Sequence, residues 1–132
     1  MTQNFYFIIS SVILFSIFSV DISSCFAQKV NCENPMTTQD MNICAGQKYK
    51  VVDRKLNQVY RQLQSRISGK QKQRMTDAQL AWIKFRDANC IYEKGEFEGG
   101  TMASYVGTSC FAGMTQKRTK ELEEYLQDLN SR

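Results

Sequence analysis

At 132 residues, with a formal charge of +4 and no histidine, the chain is long enough for one domain and too short for two. The missing histidine excludes a Ser-His-Asp triad and a histidine-based metal site. The basic balance favours anionic partners such as envelope polymers, phospholipid heads and acidic protein faces, while part of it is ordinary solvated surface.

Residues Phe5 to Val20 form an apolar and serine run that stops short of the roughly 20 residues a membrane-spanning helix needs. Cys25-Phe26-Ala27 places small residues three and one positions before Gln28, the pattern of a cleaved secretory signal. The expected organisation is therefore a signal peptide over 1–27 and one helical domain over 28–132. Met1 to Asn4 carry no lysine or arginine, which is off-pattern. Ile22-Ser23-Ser24-Cys25 loosely resembles a lipobox, so a lipidated Cys25 and an uncleaved anchor are the competing readings, and only these two imply a membrane. All three put the domain outside the cytoplasm, periplasmic or secreted, where nucleic acid is not the expected partner. Cleavage removes only Asp21 among the charged residues, raising the formal charge by one.

Pro35 is the single proline, and the long stretches between glycines are free to run as helix. Thr37 or Thr38 caps the first, with Asp40 at the positive end of its dipole. Met41, Cys44, Ala45, Tyr49, Val52, Leu56, Val59, Tyr60, Leu63 and Ile67 follow in steps of three and four, and Ser68-Gly69 ends the helix. A second helix is expected from Gln71–Arg74 to about Tyr92. Its expected buried stripe is Met75, Ala78, Trp82, Phe85, Ala88 or Asn89, and Tyr92, widened by Ile83. The glycine-rich crossing Lys94 to Gly100 breaks it. A third helix is expected from near Thr101, irregular around Gly107, to about Asn130, carrying Phe111, Met114, Leu122, Tyr125, Leu126 and Leu129. No segment alternates with period two, so the fold class is all-α: an antiparallel helical hairpin plus a third long helix.

Four cysteines remain after the leader: Cys32, Cys44, Cys90 and Cys110. In an exported chain without histidine or a Cys-x-x-Cys pair they read as two disulfides stapling the helices, with no metal and no cofactor. Three connectivities are open. If the first turn centres near Ile67 and Ser68, Cys44 and Cys90 lie level across the hairpin, which predicts Cys44–Cys90 and leaves Cys32–Cys110. Closing a loop that long stabilises by about 4 kcal/mol on the chain-entropy model.

Gln79, Trp82, Arg86 and Cys90 share a face of the second helix, as Asp53, Asn57 and Tyr60 do on the first. The expectation is a polar clasp that fixes register: Asp53 with Arg86, Asn57 with Gln79, and Trp82 between them. The catalytic reading would make Asp53 or Asp87 a general base, but a carboxylate held by arginine is a poor proton acceptor. With no phosphate cradle following a strand and no carboxylate pair in a recognisable cleft, the chain reads as a non-enzyme.

Cys32, then Met41-Asn42-x-Cys44-Ala45, DxxLNxxY from Asp53, QxxWxxxRDxxC from Gln79, a double glycine, Cys110, and Thr115 and Arg118 before Leu122 together resemble the LprI-type lysozyme-inhibitor domain. The resemblance covers nearly all of the mature chain. It implies a small, helical, disulfide-bonded, exported bacterial domain of the cell envelope, and for some members inhibition of lysozyme, the host's peptidoglycan-cleaving enzyme. Common animal lysozymes are basic, as this domain is, and like-charged surfaces slow association. The local acidic cluster Glu93, Glu96 and Glu98 flanks Phe97 on the crossing between Cys90 and Cys110. Glu96, Phe97 and Glu98 are accordingly the candidate partner-binding loop, with the aromatic as anchor for a basic cleft; the plainer reading folds Phe97 back on the core. Glu121, Glu123 and Glu124 read as a solvated face. Lys48, Lys50, Arg54, Lys55 and Arg61 form a basic face that suits the alternative function, an envelope-associated module for anionic cell-wall or lipid components without inhibitory activity.

Overall fold

The computed structural model describes residues 30–131. The expected leader, its cleavage site and Cys25 lie outside them. The described residues are all-α: α1 is Thr38–Arg66, α2 Gly69–Gly95 and α3 Ala103–Asn130. Thr37 is the N-cap of α1. Its hydroxyl accepts from the Asp40 amide at 3.0 Å, and the Asp40 carboxylate accepts from the Thr37 amide at 3.1 Å, a reciprocal capping box. Thr37→Ala is expected to cost about 1 kcal/mol, measured as a thermal midpoint lower by about 5 °C.

Ile67 and Ser68 are extended, and Gly69 at φ +52° turns the chain into α2. That left-handed position suits glycine because a Cβ would crowd the following carbonyl. α2 thus starts two residues before the expected stretch and runs on to Gly95. α3 continues through Gly107 without interruption. Among the described residues no helix is long and apolar enough to cross a membrane.

α3 makes the broad contacts, chiefly with α1 and also with α2, whereas direct α1–α2 contact is slight. Tyr49 packs on Phe111 with ring centroids 5.7 Å apart, and the side chains of Arg66 and Asn130 meet at the far end, so α1 and α3 run parallel. Gln79 meets Arg118 and Cys90 meets Cys110, so α2 runs antiparallel to both. α1 and α2 form a hairpin held near its turn, where Thr76 Oγ1 meets Tyr60 Oη at 3.4 Å and Gln64 Nε2 at 3.3 Å. Leu56, Val59, Leu63, Ile67 and Leu122 make the buried cluster, with Tyr60, Met75, Trp82, Leu126 and Leu129 packed around it. Burying each of these large side chains stabilises by about 1.5–3 kcal/mol.

Both disulfides form, with different partners from those expected: Cys32 bonds to Cys44, and Cys90 to Cys110. Cys90 is bonded to α3, and Cys44 too has α3 rather than α2 beside it. Beside Cys44 and Ala45 the neighbours are Tyr105, Ser109 and Ala112, all on α3. Level pairing assumed that α1 and α2 touch along their whole length, and they do not.

The expected stripe of α2 is also corrected. Met75, Trp82, Ile83 and Asn89 are partly buried, but Ala78 and Ala88 are exposed and Phe85 and Tyr92 are 60% and 70% exposed. The inward face is the polar one, with Gln79 and Cys90 buried and Arg86 partly so.

Candidate functional site

The crossing between α2 and α3 is a tightly wound loop. Amides of Phe97, Glu98 and Gly100 donate to carbonyls of Lys94, Gly95 and Phe97 at 3.0–3.1 Å, and Gly99 takes φ +77°. Such local bonds satisfy backbone groups that a loose loop would leave to water. Cys90–Cys110 closes its base, with Cα atoms 5.5 Å apart. Gly107 is buried beside the Lys94 stem, so the start of α3 packs on the end of α2. A rigid base thus carries an exposed tip.

At that tip Phe97 is 44% exposed, and Glu96 and Glu98 are exposed on either side. Phe97 stands outside the core cluster, with somewhat more than half of its surface covered. Glu93 is partly buried and accepts from Asn89 at 2.8 Å, leaving Glu96 and Glu98 as the outward acids. A shallow cleft of about 380 Å³ beside them is lined by Ile91, Lys94, Gly95, Glu98, Gly99 and Ala103. The arrangement offers an aromatic anchor with two carboxylates, chemistry suited to a cationic concave surface.

The expected clasp residues are not brought together. Asn57 Nδ2 donates within α1, to the Asp53 carbonyl at 2.9 Å and its carboxylate at 3.1 Å. Arg86 instead pairs with its neighbour Asp87 at 2.8 Å and lies over both Trp82 and Phe111, 5.2 and 5.3 Å from the ring centroids. Gln79 Oε1 accepts from Arg118 Nε at 3.0 Å, so the amide expected to face Asn57 faces α3. Trp82 is flanked by Arg86 and, at 5.9 Å, by Arg118. The clasp therefore ties α2 to α3, and sequence reasoning missed its centre, Arg118. Thr115, Arg118, Thr119 and Leu122, all buried, follow one another at helical steps of one face. The Thr115/Arg118 pair was visible as a motif, but nothing in the residues named its partner.

On α1, Lys48, Lys50, Arg54, Lys55 and Arg61 are all exposed. Lys55 bridges to Glu123 at 2.9 Å, and Glu121 pairs with Arg118 at 2.8 Å, so two of the three glutamates of α3 are engaged with bases. Among the described residues no cluster of three acidic or cysteine side chains is arranged to hold a metal.

A family model described as "Lysozyme inhibitor LprI" matches residues 31–122. An uncharacterised protein of Rhizobium meliloti (strain 1021) is 32% identical over 110 residues, covering 74% of this chain and 79% of that protein. The crystal structure of a DUF1311 family protein from Pseudomonas putida KT2440 superposes with a TM-score of 0.60 at 26% identity, covering 71% of this chain and 95% of that one.

Proposed function

The chain belongs to the LprI lysozyme-inhibitor family, and from that premise we propose that it is an exported protein-binding domain that inhibits lysozyme without catalysing a reaction. The observation that carries this reading is the stapled loop with Phe97 exposed between two outward carboxylates. Lysozymes of the common animal type are basic and cleave peptidoglycan in an open cleft. An acidic tip approaching such a cleft gains attraction where the basic remainder of the domain would meet repulsion. Export is supported by the two disulfides, which persist in oxidising compartments, and by the leader pattern over 1–27. Periplasmic or secreted placement follows from the same two features.

The test is the clearing of a peptidoglycan or whole-cell suspension by lysozyme, followed by turbidity with and without the oxidised protein. Slower clearing is expected. Phe97→Ala combined with Glu98→Lys is expected to weaken inhibition about tenfold or more, with the thermal midpoint lowered only slightly because Glu98 is exposed and Phe97 lies outside the core cluster. Undiminished inhibition by that variant would remove the loop as the contact.

The exposed basic face of α1 favours a second reading, an envelope module for anionic polymers or lipid. Salt-sensitive retention on heparin or anionic liposomes, together with no effect on lysozyme, would select it.

A further inference from the structure

The outer side of α2 carries an apolar strip that no other described residue packs over. Ala78, Ala81, Phe85, Ala88 and Tyr92 follow at steps of three and four and are all exposed, with Leu80 (54%) and Ile91 (67%) alongside. The strip is charged at both ends with opposite sign. Lys70 and Arg74 continue it towards the start of α2, and Glu96, one turn beyond Tyr92 and 3.5 Å from its hydroxyl, continues it past the end.

We propose that this face pairs with the same face of a second copy, the two α2 helices running antiparallel about a two-fold axis at the level of Ile83. An interface between identical surfaces must be complementary to itself, and this one is. In that register Lys70 of one copy meets Glu96 of the other, Arg74 meets the Tyr92 ring, Ala78 meets Ala88, and Ala81 meets Phe85. Lys70 finds an acid, Arg74 an aromatic face, and Phe85 a small side chain. A parallel pairing would instead set Lys70 and Arg74 against each other and Glu96 against Glu96. The contact from Lys70 to Glu96 is about 40 Å long and about 10 Å wide, a footprint of about 400 Å² per copy, of which the apolar strip Ala78 to Tyr92 makes about half. That is about half the area of a standard interface, which makes the dimer weak and concentration-dependent. Lys84 lies on one flank near the axis, where the two ammonium groups oppose each other and weaken it further.

Sedimentation velocity of the oxidised protein across a dilution series tests the pairing, with circular dichroism confirming that each variant is folded. The expected result is a monomer–dimer equilibrium that Phe85→Glu shifts to monomer. Lys70→Glu is expected to raise the dissociation constant several-fold, and Lys70→Glu with Glu96→Lys to restore it. Monomer at every concentration overturns the proposal, as does a dimer indifferent to Phe85→Glu. A charge swap that fails to restore association overturns the antiparallel register. If the protein stays monomeric while Phe85→Glu impairs lysozyme inhibition, the strip belongs to the lysozyme contact instead.

Discussion

Replacing Cys90 and Cys110 together by serine is expected to destabilise the domain by about 3 kcal/mol or more and to lower its thermal midpoint by about 15 °C. The bond closes a separation of 20 residues, and both sulfurs are buried against α3, with Asn89 Nδ2 3.7 Å from Cys110 Sγ and Met114 Sδ 3.7 Å from Cys90 Sγ. Serine there adds a buried hydroxyl to the lost cross-link. Cys32–Cys44 closes a separation of only 12 and anchors an exposed arm, so the matching double replacement is expected to cost less. The two variants also part in function. Loss of Cys90–Cys110 frees the base of the acidic loop and should weaken lysozyme inhibition, whereas loss of Cys32–Cys44 should leave inhibition near the parent level. A larger loss from the Cys32/Cys44 variant on either readout would contradict this assignment. Non-reducing tryptic mapping checks the connectivity directly. The observed pairs give an internally bridged peptide 30–48 and a linked pair 87–94 with 95–117. The pairing expected from level registration would join peptide 30–48 to both others.

That contrast shows where sequence reasoning stopped. Helix content, the capping role of Thr37 and the turn at Ser68-Gly69 were legible, because each follows from local chemistry: side-chain spacing, a hydroxyl at an N-terminus, a residue without a Cβ. The disulfide class was legible too, from residue type and compartment. Which cysteines meet depends on which helix is the neighbour, and that is a non-local fact. α3 buries Gly107, Cys110 and Ala112 near its start, and no feature of the sequence said which neighbouring helix these small residues would face. α2 failed for another reason. It carries apolar residues all around its circumference, so periodicity fits more than one face, and the stripe through Phe85 and Tyr92 was as regular as the inward one. What decided the phase was the demand of Arg118 for Gln79 and Trp82. Of the candidate loop, the residue types and the bracketing by Cys90 and Cys110 were readable. The exposure of Phe97 was not, because it depends on how the turn at Gly99 aims the side chain.

Arg118→Ala is the single substitution expected to cost most, about 2–4 kcal/mol from the cavity and the unmet Gln79 oxygen. Its guanidinium is nearly enclosed, with Nε donating to Gln79 at 3.0 Å, Nη1 to Glu121 at 2.8 Å, and the plane within 5.9 Å of the Trp82 centroid. Truncation leaves the buried Gln79 amide oxygen without its donor, opens a cavity beside Trp82, and removes the hydrogen bond that ties Gln79 of α2 to α3. Gln79→Ala alone should cost less, since Arg118 keeps Glu121. Replacing both, as Gln79→Leu with Arg118→Met, should recover most of the loss, because an apolar pair of similar volume removes the unmet polar groups along with the bond. Urea denaturation of Gln79→Leu and Arg118→Met, singly and together, analysed as a double-mutant cycle, measures the coupling. Additive costs would mean that Gln79 and Arg118 act independently and that α2 is positioned by Trp82 packing alone. The folded double variant should still inhibit lysozyme, since both residues are buried and far along the chain from Phe97. Lost inhibition at native stability would move the contact from the loop to the clasp.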